Sequence, residues 1–240
     1  MKHRDIISDK DARKRIDSSD YLKRIYIETY GALFKATGSN SNLKVLEIGA
    51  GESSFAELYW RNLTLTSFSN NSGIRAEDLY FKSGSFDLII AKDVLHHIKD
   101  IPRAFKVFRK ILSPKGVVAA SEPSFSLVGR FVYRFIHPEN WDVNEKFVLD
   151  EVDPWDSNQA LILNLRRLNS KERFQLLSGF EMKILGSSYG ISYLLSGGVY
   201  SPTSISSKVL VFLHSKFRFF RNSMNWIFSL NRIVVFLKVD

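Results

Sequence analysis

Cysteine is absent from the 240-residue chain. Disulfides and thiolate metal sites are thereby excluded, and a reducing compartment is compatible with the sequence. Long apolar runs are missing too: nowhere does the chain reach the ~18 to 20 uninterrupted apolar residues that a membrane span requires. The first residues, Met1-Lys-His-Arg-Asp, lead into charge rather than an apolar segment, so no secretory leader is expected and the cytoplasm is the default compartment. Acidic residues are few in the last third. Lys and Arg number 34 against 25 Asp and Glu, a net charge of +9, and from Ala160 onward eleven basic residues face only three acidic ones. That asymmetry suits an anionic partner, whether a membrane surface, a phosphorylated substrate or nucleic acid, or else a solvated face that aids solubility. No recognisable RNA-binding module accompanies the charge, so nucleic acid is not the expected partner.

With 45% hydrophobic and 25% charged residues, the composition is that of a globular protein. The length suffices for one sizeable α/β core and hardly for two independent domains. A single domain over 1–240 is expected, with an N-terminal helical cap (1–40), a first half built around one strand (41–123), an insertion and helix (124–178), and C-terminal strands with basic amphipathic helices (179–240).

The organising stretch is Asn42 to Ser54. Leu43, Val45, Leu46 and Ile48 form a short apolar run that stops at glycine, the pattern of a buried parallel strand turning sharply. Gly49 and Gly51 remove the Cβ atoms that would hold a ligand off the backbone, and such a turn lies at the usual crevice of an open α/β sheet. A dinucleotide fingerprint needs a third glycine, but Ser54 occupies that place, which weakens a nicotinamide reading. Downstream, Phe86-Asp-Leu-Ile enters another strand, Leu95-His-His-Ile follows it, Ser113-Pro-Lys-Gly closes an amphipathic helix, and Glu122-Pro123 ends a further strand.

Glu47-x-Gly49-x-Gly51 resembles the first motif of class I S-adenosylmethionine-dependent methyltransferases, and the later segments resemble that family in order, from about Leu43 to Pro123. The resemblance implies a Rossmann-like, doubly wound, mostly parallel seven-stranded sheet with an antiparallel strand near the C-terminus and N-terminal helices over the cleft. It implies S-adenosylmethionine as cofactor, held by Glu47, Gly49, Ala50 and Gly51, by Ser67 at the second strand's end, by Ala76 and Glu77 at the adenine, and by Ala91 and Lys92. Two expected carboxylates are absent: Ser67 stands where an acid would meet the ribose, and Arg75 where an aspartate would stand near the adenine. A degenerate member that keeps the fold as a binding scaffold is therefore a second reading, and an RNA methyltransferase a third.

His96 and His97 are candidate catalytic residues, since a histidine near neutrality can act as a general base. On an α-helix adjacent side chains diverge by about 100°, so one ring is expected to pack locally while the other faces the cleft, and no metal site is expected. Trp141 and Trp155, in the acidic and aromatic insertion, could stack on a flat or sugar-like substrate. The downstream half, with Leu195-Ser-Gly-Gly, is similar to bacterial members that modify glycans or glycolipids. That implies a small-molecule, sugar or lipid-linked glycan acceptor. The segment Ser204 to Arg232 interleaves large apolar residues with basic ones, as a helix lying on an anionic membrane would. Its oligomeric state is not legible.

Overall fold

A computed structural model describes residues 9–66, 74–137, 139–149, 157–199 and 203–239, with the side chains of 217–223 left aside. Two helices open the chain, α1 (Asp9–Asp17) and α2 (Asp20–Ala36), separated where the Ser19 hydroxyl accepts the Leu22 amide and caps α2. Six strands follow in one sheet: β1 (Lys44–Ile48), β2 (Asn62–Leu65), β3 (Phe86–Lys92), β4 (Leu112–Pro123), β5 (Phe180–Gly186) and β6 (Asn231–Lys238), in the order β2-β1-β3-β4-β6-β5. The first four run parallel, and β6 lies antiparallel between β4 and β5.

The alternation expected of strands covered on both faces decides where the core sits. Leu46, Ile48, Ile89, Ala91, Val118, Ala120, Val234 and Phe236 point to one face, under α3 (Ile101–Ile111) and α5 (Leu161–Arg167). Val45, Leu88, Ile90, Ala119, Ile233 and Val235 point to the other, under the Tyr26, Tyr30 and Leu33 side of α2. α3 begins where the Asp100 carboxylate accepts the Arg103 amide at 2.8 Å, and its stripe Ile101, Ala104, Phe105, Phe108 and Ile111 is buried. A third cluster joins α2 to α4 (Leu127–Phe135) and α8 (Ser207–Phe228) through Leu22, Ile25, Val132 and Leu210. The remaining helices are α6 (Ser170–Leu176), with an Asn169/Glu172 capping box, and α7 (Ile191–Leu195).

Two expectations are corrected. Six strands form among the described residues rather than seven; between β2 and β3 the described residues 74–85 hold one 3₁₀ turn, Ala76–Asp78, and no strand. Between β1 and β2 the chain makes one 3₁₀ turn, Ala56–Leu58, where burial of Phe55, Ala56 and Trp60 against α2 holds this short piece in place of helical propagation. The irregular insertion expected after Pro123 opens with α4, because the Ser126 hydroxyl accepts the Gly129 amide at 2.9 Å and caps a helix that Val128 and Val132 anchor. Helices α5 and α6 are divided at the cap Asn169.

Candidate active site

At the carboxyl end of β1 the chain turns through Gly49 (φ 65°) and Gly51 (φ 51°), left-handed conformations that glycine adopts without strain. A Cβ on Gly49 would lie 2.4 Å from Val94 Cγ2, so glycine here also lets the loop after β3 close in. Glu47 is buried beneath the turn, its carboxylate accepting the Tyr30 hydroxyl at 2.5 Å and the Ser54 hydroxyl at 2.6 Å. Ser54 in turn accepts the Ala56 amide at 3.1 Å. The residue that departs from the dinucleotide fingerprint thus ties the turn to the strand. Burial raises the Glu47 carboxyl above its ordinary value, and the bonds from Ser54 and Tyr30 and the nearby Lys92 oppose the rise.

β3 ends at Lys92, whose ammonium lies 2.6 Å from the Asp93 carboxylate and 4.0 Å over the Tyr26 ring. Asp93 takes φ 55° and donates its amide to Ser121 O at 2.8 Å, which docks this loop onto β4. The fully buried Glu122, at the end of β4, then accepts the Val94 and Leu95 amides at 3.1 and 2.8 Å with one oxygen and meets His96 Nδ1 at 2.6 Å with the other. His96 is therefore fixed from behind. Its Nε2 faces Glu139 at 3.5 Å, and His97 Nε2 lies 3.7 Å from the same carboxylate. Glu139 also accepts the Ser157 hydroxyl at 2.7 Å and the Gln159 amide, so the two sides of the loop after α4 meet at it.

The two histidines do not diverge as expected. They sit on a 3₁₀ turn, Leu95–His97, with ring centroids 4.3 Å apart, and both line the cleft. Burial lowers the His96 pKa, but the Glu122 and Glu139 carboxylates outweigh it and push the imidazolium up to about 10. His97 is driven the other way, to about 3, by burial and by the positive charge of His96. Its Nδ1 is buried without a hydrogen-bond partner, which suits a neutral ring, since an imidazolium would need acceptors at both nitrogens. Burial would raise Glu139, yet the hydrogen bond and charge of His96 hold it well below the usual carboxylate range. Among the described residues His96, His97 and Glu139 place one ligand atom each within 4.8 Å of one another, a spacing open to a cation. The Glu139 oxygen in this group already accepts the Ser157 hydroxyl and the Gln159 amide.

These groups open into one cleft of about 490 Å³. Of the residues expected at the site it brings together Gly49, Ala50, Gly51, Lys92, His96 and His97. Glu47 supports the turn from below, and Ala91 is buried in the core. Ala76 packs against that core and Glu77 is buried, its carboxyl raised by burial; neither lines the cleft. Trp141 is not on the cleft wall either: it stacks on Tyr133, which is, with centroids 6.1 Å apart and planes within 6°. Ser67 and Trp155 lie outside the described residues.

Sequence reasoning missed the tyrosines of the wall, Tyr26 and Tyr30 from α2, Tyr133 from α4, and Tyr189 and Tyr193 around α7, as well as Asp93, Glu122 and Glu139. The Glu122-Pro123 motif signalled only the first carboxylate partner of His96. Nothing local marked Glu139 among the acids of its loop.

Comparison with known proteins decides the family. A family model described as a methyltransferase domain matches residues 20–190. The chain belongs to this methyltransferase family. The crystal structure of an S-adenosylmethionine-dependent methyltransferase from Archaeoglobus fulgidus aligns with 88% of this methyltransferase and 93% of its own chain, at a TM-score of 0.51 and 14% identity, a likeness of fold. A second, from Mesorhizobium loti, covers 88% and 98% with a TM-score of 0.49 and 14% identity. Among curated proteins, a highly reducing polyketide synthase from a Fusarium species is 25% identical over 221 residues; the match takes in 65% of this methyltransferase and spans 9% of the synthase's length.

The family's methyl donor is S-adenosylmethionine, and the residues present at the end of β1 fit it. The Gly49–Gly51 turn leaves its floor free of side chains beyond Ala50 Cβ, and Tyr26 and Tyr30 line the same cleft beside it, whereas the Tyr26 ring and the Asp93 carboxylate are already engaged by the Lys92 ammonium. No helix is long and apolar enough to cross a membrane among the described residues.

Proposed function

We propose that this methyltransferase methylates a hydroxyl group on a small molecule or glycan, with His96 as the general base. The observation that carries the reading is the placement of His96. Glu122 fixes its Nδ1 at 2.6 Å, and Nε2 is left at the cleft near Glu139. An amine acceptor attacks with its own lone pair once neutral, whereas a hydroxyl gains from a base that removes its proton during attack. S-adenosylmethionine, when bound, supplies an electrophilic methyl group. Gly49, Ala50 and Gly51 would hold it, with Lys92 and Asp93 beside them; His97 and Gln159 would position the acceptor, and Val132, Ile136 and Leu194 would cover its apolar parts. Much of the acceleration would come from alignment in this walled cleft.

At neutral pH the raised His96 carries its second proton in the resting cleft, so the base form appears only as pH rises towards about 10. The rate, kcat/KM, is therefore expected to climb between neutrality and that value. Replacing Glu139 with Gln removes one of the two carboxylates that hold the proton, and the climb should move to lower pH; His96→Asn should abolish it and lower kcat by about 10²- to 10⁴-fold. A profile in Glu139→Gln that keeps its position would reject His96 as the base. Arg75 in place of the family's aspartate favours the scaffold reading. Calorimetry with S-adenosylmethionine and with its demethylated product separates the two: absence of binding at millimolar concentration would leave a scaffold.

A further inference from the structure

Helix α4 carries apolar residues on two faces. Val128 and Val132 are the inward ones, while Leu127, Phe131 and Phe135 stand 57, 57 and 67% exposed. The exposed three are spaced i, i+4, i+8 and make a single stripe along the helix. Ile136, just beyond, is 48% exposed and also lines the cleft, so the stripe runs up to the cleft mouth. Phe131 and Phe135 touch, with ring centroids 5.4 Å apart. Exposed aromatic side chains in contact along one helix are not the scattered single residues of an ordinary surface.

Charge decides what covers them. Arg130 and Arg134 flank the stripe, both exposed, and the helix has no acidic residue. The Arg134 guanidinium lies 5.4 Å from the centre of the Phe135 ring. Apolar rings flanked by arginines suit the boundary between headgroups and acyl chains of an anionic bilayer, where apolar burial and lipid charge add.

We infer that α4 docks this protein on an anionic membrane surface, with the cleft mouth bordering the lipid. The contact differs from the one expected from the sequence, which lay on Ser204 to Arg232. The docking does not rest on the proposed chemistry, because partition onto vesicles is read without turnover.

The test is flotation of the full chain with vesicles of phosphatidylcholine alone or mixed with phosphatidylglycerol. The expected result is flotation with the mixed vesicles at low salt, little with the neutral ones, and release as salt is raised. Phe131→Ser/Phe135→Ser should weaken the partition coefficient by about tenfold or more and Arg134→Gln by about fivefold. Both changes are at exposed positions, and an unchanged melting midpoint would show that the variants fold. Phe212→Ser, on the exposed part of α8, should leave the partition within about twofold. No flotation at low salt, equal flotation with neutral vesicles, or a loss produced by Phe212→Ser and not by the α4 variants would each overturn the inference.

Discussion

Gly49 shows how one missing side chain organises a site. Its backbone occupies the left-handed region at φ 65°, and a methyl group there would meet Val94 Cγ2 at 2.4 Å. Gly49→Ala therefore suffers strain and clash together, and is expected to lose about 1 to 3 kcal/mol of stability along with cofactor affinity. Adding Val94→Ala relieves the clash and leaves the strain. Chemical denaturation should show a partial recovery in the double variant; none at all would mean that the Val94 contact is irrelevant. The motif Glu47-x-Gly49-x-Gly51 made this turn legible from the sequence. It did not reveal why glutamate stands there: Tyr30 and Ser54 reach Glu47 from separate elements, a meeting produced by folding.

At the scale of elements, α3 illustrates what periodicity can and cannot say. The stripe from Ile101 to Ile111 and the Asp100 cap are written in the sequence. The partners of Phe105 are not: its ring meets Phe108 on its own helix, Phe180 on β5 and Phe236 on β6, with centroids 4.9 to 5.5 Å apart. Phe105→Ala is expected to cost about 3 to 5 kcal/mol, because the cavity lies between a helix and two strands that cannot easily close on it. A loss below about 1 kcal/mol in denaturant titration would indicate that the sheet relaxes around the gap. For His96 and His97 the sequence predicts the divergence of about 100° of adjacent residues on an α-helix, with one ring packed locally and the other at the cleft. A 3₁₀ turn brought their rings side by side, and the short-range pattern of four residues could not distinguish the two geometries.

For the whole molecule, the buried charges set a pH optimum of stability. His96 is raised in the folded state to about 10, so its contribution is fully present below its ordinary value near 6.5 and is lost as pH climbs towards about 10. His97 acts in the opposite sense: held neutral down to about 3, it costs stability as pH falls below about 6.5, where the unfolded chain takes up the proton first. Glu28, lowered to about 2 against the opposing effect of burial by the His214 hydrogen bond and by Arg24, adds a further loss as pH falls from about 4.5. The melting midpoint is thus expected to peak near neutrality and to decline on both sides. His97→Gln should flatten the branch between pH 6.5 and 5, just below the ordinary histidine value, where the unfolded chain takes up the proton. A midpoint that falls equally steeply in that variant would remove His97 as the cause.

The sequence by itself determined the alternation that buries both faces of the sheet, the glycine turn after β1, the helix caps and the family, because each depends on residues near one another in the chain or on motifs in fixed order. Tertiary structure alone decided the composition of the cleft. Glu122 and Glu139 reach His96 from the end of β4 and from the loop beyond α4, and the tyrosines come from α2, α4 and the α7 region. The physical reason is range: propensity, capping and periodicity act over a few residues, whereas the charge on a buried imidazole is set by carboxylates that only the packed sheet and its loops bring within hydrogen-bond distance.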